Sequence, residues 1–323
     1  MPREIVHWMV ADRAAELLAD GPFAPALRRC PNGLRLGSVY HDVLFYLRGD
    51  HLEGLRHLPH RLHGSHGEDS FDLLRMQAAH MAAHRSEPLP TAFFVGLASH
   101  IFTDATIHPL VYYLTGNYYD TDERRRTSAV RHHRALESLL DMVAAGGAER
   151  VRDQSLRALV RGVEGGLDLA CPPEALARLA GCGVDELRLG LAESLETFCT
   201  MQNLCRMPML AGIVREFSCV MPGALREIAA LFYAPQLYDQ SGAVSGRMAY
   251  RNPATGDRYW GSLAELMELS ARRTARFCAA CAQSLIASGA LGDPGPGPTL
   301  DMGLPGVPVT RARVFAPVPL PAD

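Results

Sequence analysis

All thirteen histidines of the chain fall between His7 and His133, and none follows. Histidine is the commonest metal ligand, so spacing must separate a metal centre from unrelated surface or core histidines. His100, Asp104 and His108 stand at i, i+4 and i+8 in an otherwise apolar run that includes Phe93, Phe94, Val95, Leu97, Ile101 and Phe102. Four helical residues turn through ~400°, so successive members drift by only ~40° and all three lie on one stripe. Burying such a stripe unpaired is costly, and coordination to a cation removes the cost. His133 and Glu137 form a second i, i+4 pair, a nitrogen and an oxygen donor side by side on a later helix.

Three more residues join these as candidate ligands. Asp42 follows the segment Gly37-Ser38-Val39-Tyr40-His41, and His63 precedes Gly64 at the expected entry of another helix. Both can be presented from non-helical backbone. His7 lies beside the apolar face of the first helix. The pair His80 and His84 also has helical spacing, but arginines flank it and we place it at the periphery. His51, His57 and His60 fall in a polar loop region and are expected to be exposed or to line an entrance. His41, His66 and His132 each neighbour a chosen ligand and stand as second choices.

The elements that must carry these residues read as helices throughout. A first helix, with Ile5, Val6, Met9, Ala14, Leu17 and Leu18 on one face, ends at Asp20-Gly21-Pro22. Pro31-Asn32-Gly33 reads as a turn before an apolar segment over 39–47. Helical patterning returns over 65–84, 92–110 and 122–145, and again over 148–162, 184–206, 209–233 and 262–289. No convincing run of alternating β-branched residues appears. The expectation is an all-α chain: one multi-helix bundle domain over 1–291, its metal ligands within 1–141, and an irregular Pro-rich tail over 292–323. The tail is expected to wrap the surface or stay mobile.

Composition narrows the classes. Hydrophobic residues are 48% and charged residues 21% of 323, enough for a sizeable core, and a net charge of −3 offers no polybasic stripe for nucleic acid. No run reaches the ~18 apolar residues of a membrane span, and no leader-like pattern opens the chain. The eight cysteines are scattered, which fits reduced thiols and a cytoplasmic location. Cys278 and Cys281 read as structural.

The set His7, Asp42, His63, His100, Asp104, His108, His133 and Glu137 resembles, in order and spacing, the ligand pattern of the zinc-dependent phospholipase C family. The wording Gly-Leu-Ala-Ser-His-Ile-Phe-Thr-Asp-Ala-Thr-Ile-His-Pro and His-His-Arg-Ala-Leu-Glu is similar too, and the likeness covers about residues 5–141. More weakly, Arg251-Asn252-Pro253-Ala254-Thr255-Gly256-Asp257 with Ser262-Leu263 resembles a feature of bacterial members. The resemblance implies an all-helical fold holding two or three zinc ions. Asp42, His63, His100 and Asp104 would hold one, and His108, His133 and Glu137 another. His7 would join a bridging Asp104 at a third. Distant relatives include single-strand-specific nucleases and the phospholipase D that cuts glycosylphosphatidylinositol anchors. Two departures stand out: secreted members use a mature N-terminal tryptophan where this chain begins Met1-Pro2-Arg3, and His41 precedes Asp42 where relatives usually carry proline.

The implied chemistry is hydrolysis of a small-molecule or lipid phosphate ester. A water bridging two ions has its pKa lowered from 15.7 toward ~7, and the free oxygen of Asp42 accepts its proton. Tyr40, Phe45, Tyr46, Tyr112, Tyr113, Tyr118 and Tyr119 are candidates for the cleft wall, with core packing an equal alternative. Two rival readings stay open. One is a metalloenzyme of changed substrate, including iron or manganese oxygen chemistry, and the other is a metal-binding protein without turnover.

Overall fold

Apolar residues recur at helical spacing along almost the whole chain, and helices form accordingly. The computed structural model describes residues 4–48, 52–163 and 166–321, without the side chains at 53 and 219. In order they are α1 (Glu4–Leu17), α2 (Ala24–Arg29), α3 (Pro31–Gly37), α4 (Glu53–Arg56), α5 (Leu58–Leu62), α6 (Asp72–Ala83), α7 (Pro88–Thr115) and α8 (Glu123–Ala145). There follow α9 (Leu156–Arg161), α10 (Gly166–Ala170), α11 (Pro173–Ala180), α12 (Val184–Cys205), α13 (Pro208–Phe217), α14 (Gly223–Ala229), α15 (Pro235–Tyr238) and α16 (Leu263–Ser288). A single antiparallel hairpin, β1 (Met248–Arg251) with β2 (Arg258–Gly261), pairs Met248 with Gly261 among the described residues. The protein is all-α.

Helix α7 is the axis of the molecule. Its sequence is apolar on every side, and every residue from Ala92 to Tyr112 is buried. A helix without a polar face must be covered all round, and α1, α2, α3, α6, α8 and α16 cover it. Pro88 opens it, where a missing N–H costs nothing. On one side the approach is backbone to backbone. A Cβ on Gly96 would lie 2.2 Å from the Leu34 carbonyl oxygen, and one on Gly37 2.5 Å from that of Phe93. The two glycines therefore let α3 sit directly on α7.

The other ligand-bearing helices are held at their ends. The backbone N–H groups of Ile5 and Val6 donate to the buried Asp141 carboxylate at 3.1 and 2.9 Å, satisfying orphan donors at the start of α1. Asp122 caps α8 by accepting from the Arg125 N–H at 2.9 Å, and Gly146 ends it in the left-handed conformation. Ser262 and Glu265 form a reciprocal capping box on α16.

Several local expectations need correction. Pro31-Asn32-Gly33 is no turn but the first turn of α3, because Pro31 occupies the position where proline initiates a helix. His63 does not enter a helix; it caps the end of α5, and α6 starts only at Asp72. The expected helices over 148–162 and 209–233 are each broken, by 3₁₀ turns at Ala148–Asp153 and Ser218–Val220. α10, α11 and the hairpin were not expected at all. The tail is irregular, but it does not simply wrap the surface: Thr299, Leu300, Asp301 and Met302 are buried. His51 lies outside the described residues. Among the described residues no helix is long and apolar enough to cross a membrane.

Candidate metal centre

Five segments deliver the predicted donors to one place. Helix α1 carries His7, the 3₁₀ turn Tyr40–Tyr46 carries Asp42, the end of α5 carries His63, and α7 carries His100, Asp104 and His108. The neighbouring α8 adds His133 and Glu137. All eight are buried, none more than 5% exposed.

Asp104 is at the middle. Its Oδ2 lies 3.1 Å from His100 Nε2 and 3.8 Å from His63 Nε2, while its Oδ1 lies 3.2 Å from His7 Nε2 and 3.7 Å from His108 Nε2. Asp42 Oδ1 completes the first group, 3.2 Å from His63 Nε2 and 3.6 Å from His100 Nε2. Glu137 Oε1 stands 3.0 Å from His133 Nε2 and 3.8 Å from His108 Nε2. Three sets of donors thus converge: His63 with His100 and Asp104, His7 with Asp42 and His100, and His108 with His133 and Glu137.

The hydrogen bonds behind the rings determine what the front can do. Nδ1–H of His100 donates to the Ser38 carbonyl at 2.9 Å, that of His63 to Pro59 at 2.7 Å, and that of His108 to Leu300 at 3.2 Å. With Nδ1 carrying the proton, a neutral ring turns a bare lone pair outward at Nε2. Those lone pairs face carboxylate oxygens, which are acceptors as well. Nε2 of His100 and His108, both oxygens of Asp104, Oδ1 of Asp42 and both nitrogens of His7 have no hydrogen-bond partner. Gathered this closely, these groups need positive charge among them, from a metal cation or from protons. Two ligands on a tetrahedral zinc with 2.0–2.1 Å bonds stand about 3.3 Å apart, so the shorter separations fit the edges of such a polyhedron.

The electrostatics agree. Burial holds His7 below the ordinary histidine range and His108 and His133 well below it. At His100 burial also opposes the charge, but Asp104 and Asp42 outweigh it and lift the imidazole to about 9. Burial would raise Asp104, yet His108, His100 and His7 hold it well below the usual carboxylate range. The centre of the cluster attracts positive charge.

The donors open onto a cavity of about 390 Å³. Its inner wall is Asp42, His63, His108, His133 and Glu137; Phe45, Tyr46, Leu47, Phe198, Met201, Ile228 and Leu231 form an apolar side, and Arg48 and Arg134 add positive charge. Tyr112, Tyr118 and Tyr119 line it as the sequence suggested, whereas Tyr40 packs edge-on against Phe93 and Tyr113 is not in the wall. Of the loop histidines, His60 reaches the cavity. His41 is buried with its ring stacked 4.4 Å from His100, but it joins none of the donor groups. His66 is exposed, and His132 is buried beside Ser128. The His80 and His84 rings bond the Leu169 and His80 carbonyls instead of the cluster.

Sequence reasoning missed the C-terminal contribution. Asp301 lines the cavity, with Oδ1 accepting from Tyr112 Oη at 2.9 Å and Oδ2 from Ser65 Oγ at 3.3 Å. The available signal was a lone carboxylate between Leu300 and Met302 in an otherwise apolar, Pro-rich stretch.

Against this geometry, residues 6–163 match the family model described as zinc dependent phospholipase C. No curated protein and no solved structure matches the chain.

Proposed function

We propose, for a chain that belongs to the zinc-dependent phospholipase C family through residues 6–163, that it is a metal-dependent phosphoric ester hydrolase. The observation that carries the reading is the buried cluster of mutually facing acceptors. Asp42, His63, His100 and Asp104 would hold one zinc ion, and His108, His133 and Glu137 a second. His7 with the other oxygen of Asp104 would hold a third.

Bound zinc would supply Lewis acidity toward the phosphoryl oxygens and acidify a coordinated water toward a pKa of ~7. The chain's own residues do the rest. An oxygen of Asp42 is the proton acceptor, at the cavity edge of the cluster. Arg48 and Arg134 lend positive charge to an incoming phosphate ester. The wall of Phe45, Leu47, Phe198 and Met201 receives the apolar part of the alcohol and excludes water from it.

Elemental analysis of the purified protein, with a panel of phosphomonoesters and phosphodiesters, tests this directly. Two or more zinc ions per chain are expected, with hydrolysis abolished by a chelator and restored by zinc. Less than one metal per chain and no activity gained on adding zinc overturns the reading. Tightly bound zinc without turnover on any ester reduces it to a metal-binding protein.

A further inference from the structure

The C-terminal segment makes contacts on the reverse side of the metal centre that the family match, ending at residue 163, does not cover. The Leu300 N–H donates to the His63 carbonyl at 2.8 Å, and its own carbonyl accepts from His108 Nδ1 at 3.2 Å. One residue thus ties together two donors from different elements. Asp301 follows, 4% exposed, with Oδ1 3.6 Å from His108 Nδ1.

The fold spends several features on seating this turn. Pro109, next to His108, has no N–H to give to the Ala105 carbonyl, so that carbonyl lies open within α7. Gly303 comes against it: a Cβ there would stand 2.3 Å from the Ala105 oxygen, and its φ of +71° also favours glycine. From the hairpin side, Asn252 Nδ2 donates to the Met302 carbonyl at 2.8 Å. The Asn252–Asp257 turn between β1 and β2 therefore clamps the segment onto α7.

The charge of Asp301 is what anchoring alone leaves unexplained. An asparagine would fill the same place without the cost of burying an anion, accepting from Tyr112 at its one oxygen and donating from its amide to the Ser65 hydroxyl oxygen. Among the described residues no arginine pairs with Asp301; the basic groups that face it are His63 and, 3.6 Å away at Nδ1, His108. A carboxylate against the distal nitrogen of a ligating histidine keeps the proton on that nitrogen and makes the opposite one a better donor.

We propose that Asp301 is a positioning residue of the metal centre, acting through His108, and that the C-terminal segment completes the site. The inference rests on the metal-centre reading above. It is tested by zinc affinity, measured by competition with a chromogenic chelator, in the full-length wild type, Asp301→Asn and Asp301→Glu. Asp301→Ser is included in case the amide does not fold. The melting temperature of each metal-free protein is measured alongside.

Asp301→Asn and Asp301→Ser should each hold one zinc about tenfold or more weakly. Asp301→Glu should recover most of the loss, and the metal-free proteins should melt together. Unchanged affinity in the neutral variants overturns the proposal. So does a loss that glutamate fails to rescue, or one matched by an equal weakening of the metal-free protein, since each makes Asp301 a plain anchor. A wild type that binds no zinc overturns this inference and the metal-centre reading together, whereas zinc-binding wild type with unaffected variants overturns this inference alone.

Discussion

Asp104 presents one oxygen to His63 and His100 and the other to His7 and His108, so a single side chain serves every part of the donor cluster except Asp42 and the α8 pair. Asp104→Asn preserves shape and removes one charge. It should lose at least one metal and reduce hydrolysis to background. His7→Ala, which removes the ring stacked on His100 and the nitrogen that faces Asp104 Oδ1, should keep two metals and substantial activity. His80→Ala is the control, its ring being bonded to the Leu169 carbonyl. Metal stoichiometry and turnover of a generic phosphodiester check all three, and loss of metal from His80→Ala with retention in Asp104→Asn would refute the assignment. The i, i+4, i+8 stripe was legible because helical geometry alone aligns it. Asp301 was not, since its neighbours in space are 189 and 236 residues away at Tyr112 and Ser65, and no local period marks a contact of that range.

At the scale of elements, ligand position depends on how closely helices approach. Gly96 lies against the Leu34 carbonyl, and His100, one helical turn on, donates to the carbonyl of Ser38 at the end of α3. Gly96→Ala pushes a methyl into backbone that cannot yield without separating α3 from α7. It should cost about 1–3 kcal/mol of stability, in the range of overpacked cores. It should also weaken metal binding, because the carbonyl that fixes the His100 ring moves with α3. Urea denaturation and zinc titration of the variant check this; wild-type values in both would mean the contact relaxes freely. Helix existence was readable from periodicity and caps, as at α8 and α16. Breaks within 148–162 and 209–233 were not, because tertiary packing divides segments whose apolar pattern runs on. The hairpin escaped notice for a related reason: strands of four residues are too short to establish a period.

The whole molecule keeps a set of histidines away from water, and acid should expose the cost. Burial lowers the folded-state pKa of His7, His41, His108 and His133 from an ordinary value of 6.5. Groups depressed in this way contribute stability above about pH 6.5 and lose it as the pH falls. His100, lifted to about 9, runs the other way: its contribution is full below 6.5 and fades as the pH rises toward 9. Burial also lowers the half-buried His60 and His80, so six groups oppose one on the acid side. The urea midpoint of metal-stripped protein should therefore fall between about pH 7 and pH 5. A midpoint that holds or rises over that interval would mean these rings are solvated in the folded state. The same burial implies that zinc loading weakens with acid, since protons compete for each Nε2.

The Leu300 carbonyl that orients His108 lies 192 residues beyond it. Translation puts a clock on that separation. At about 5–20 residues per second, roughly 10–40 s pass between the synthesis of His108 and that of the peptide that holds its ring. Throughout that interval the nascent chain already contains His108 but not the Leu300 carbonyl. By the time residue 250 has been added every proposed ligand has been made, and the centre is still unfinished.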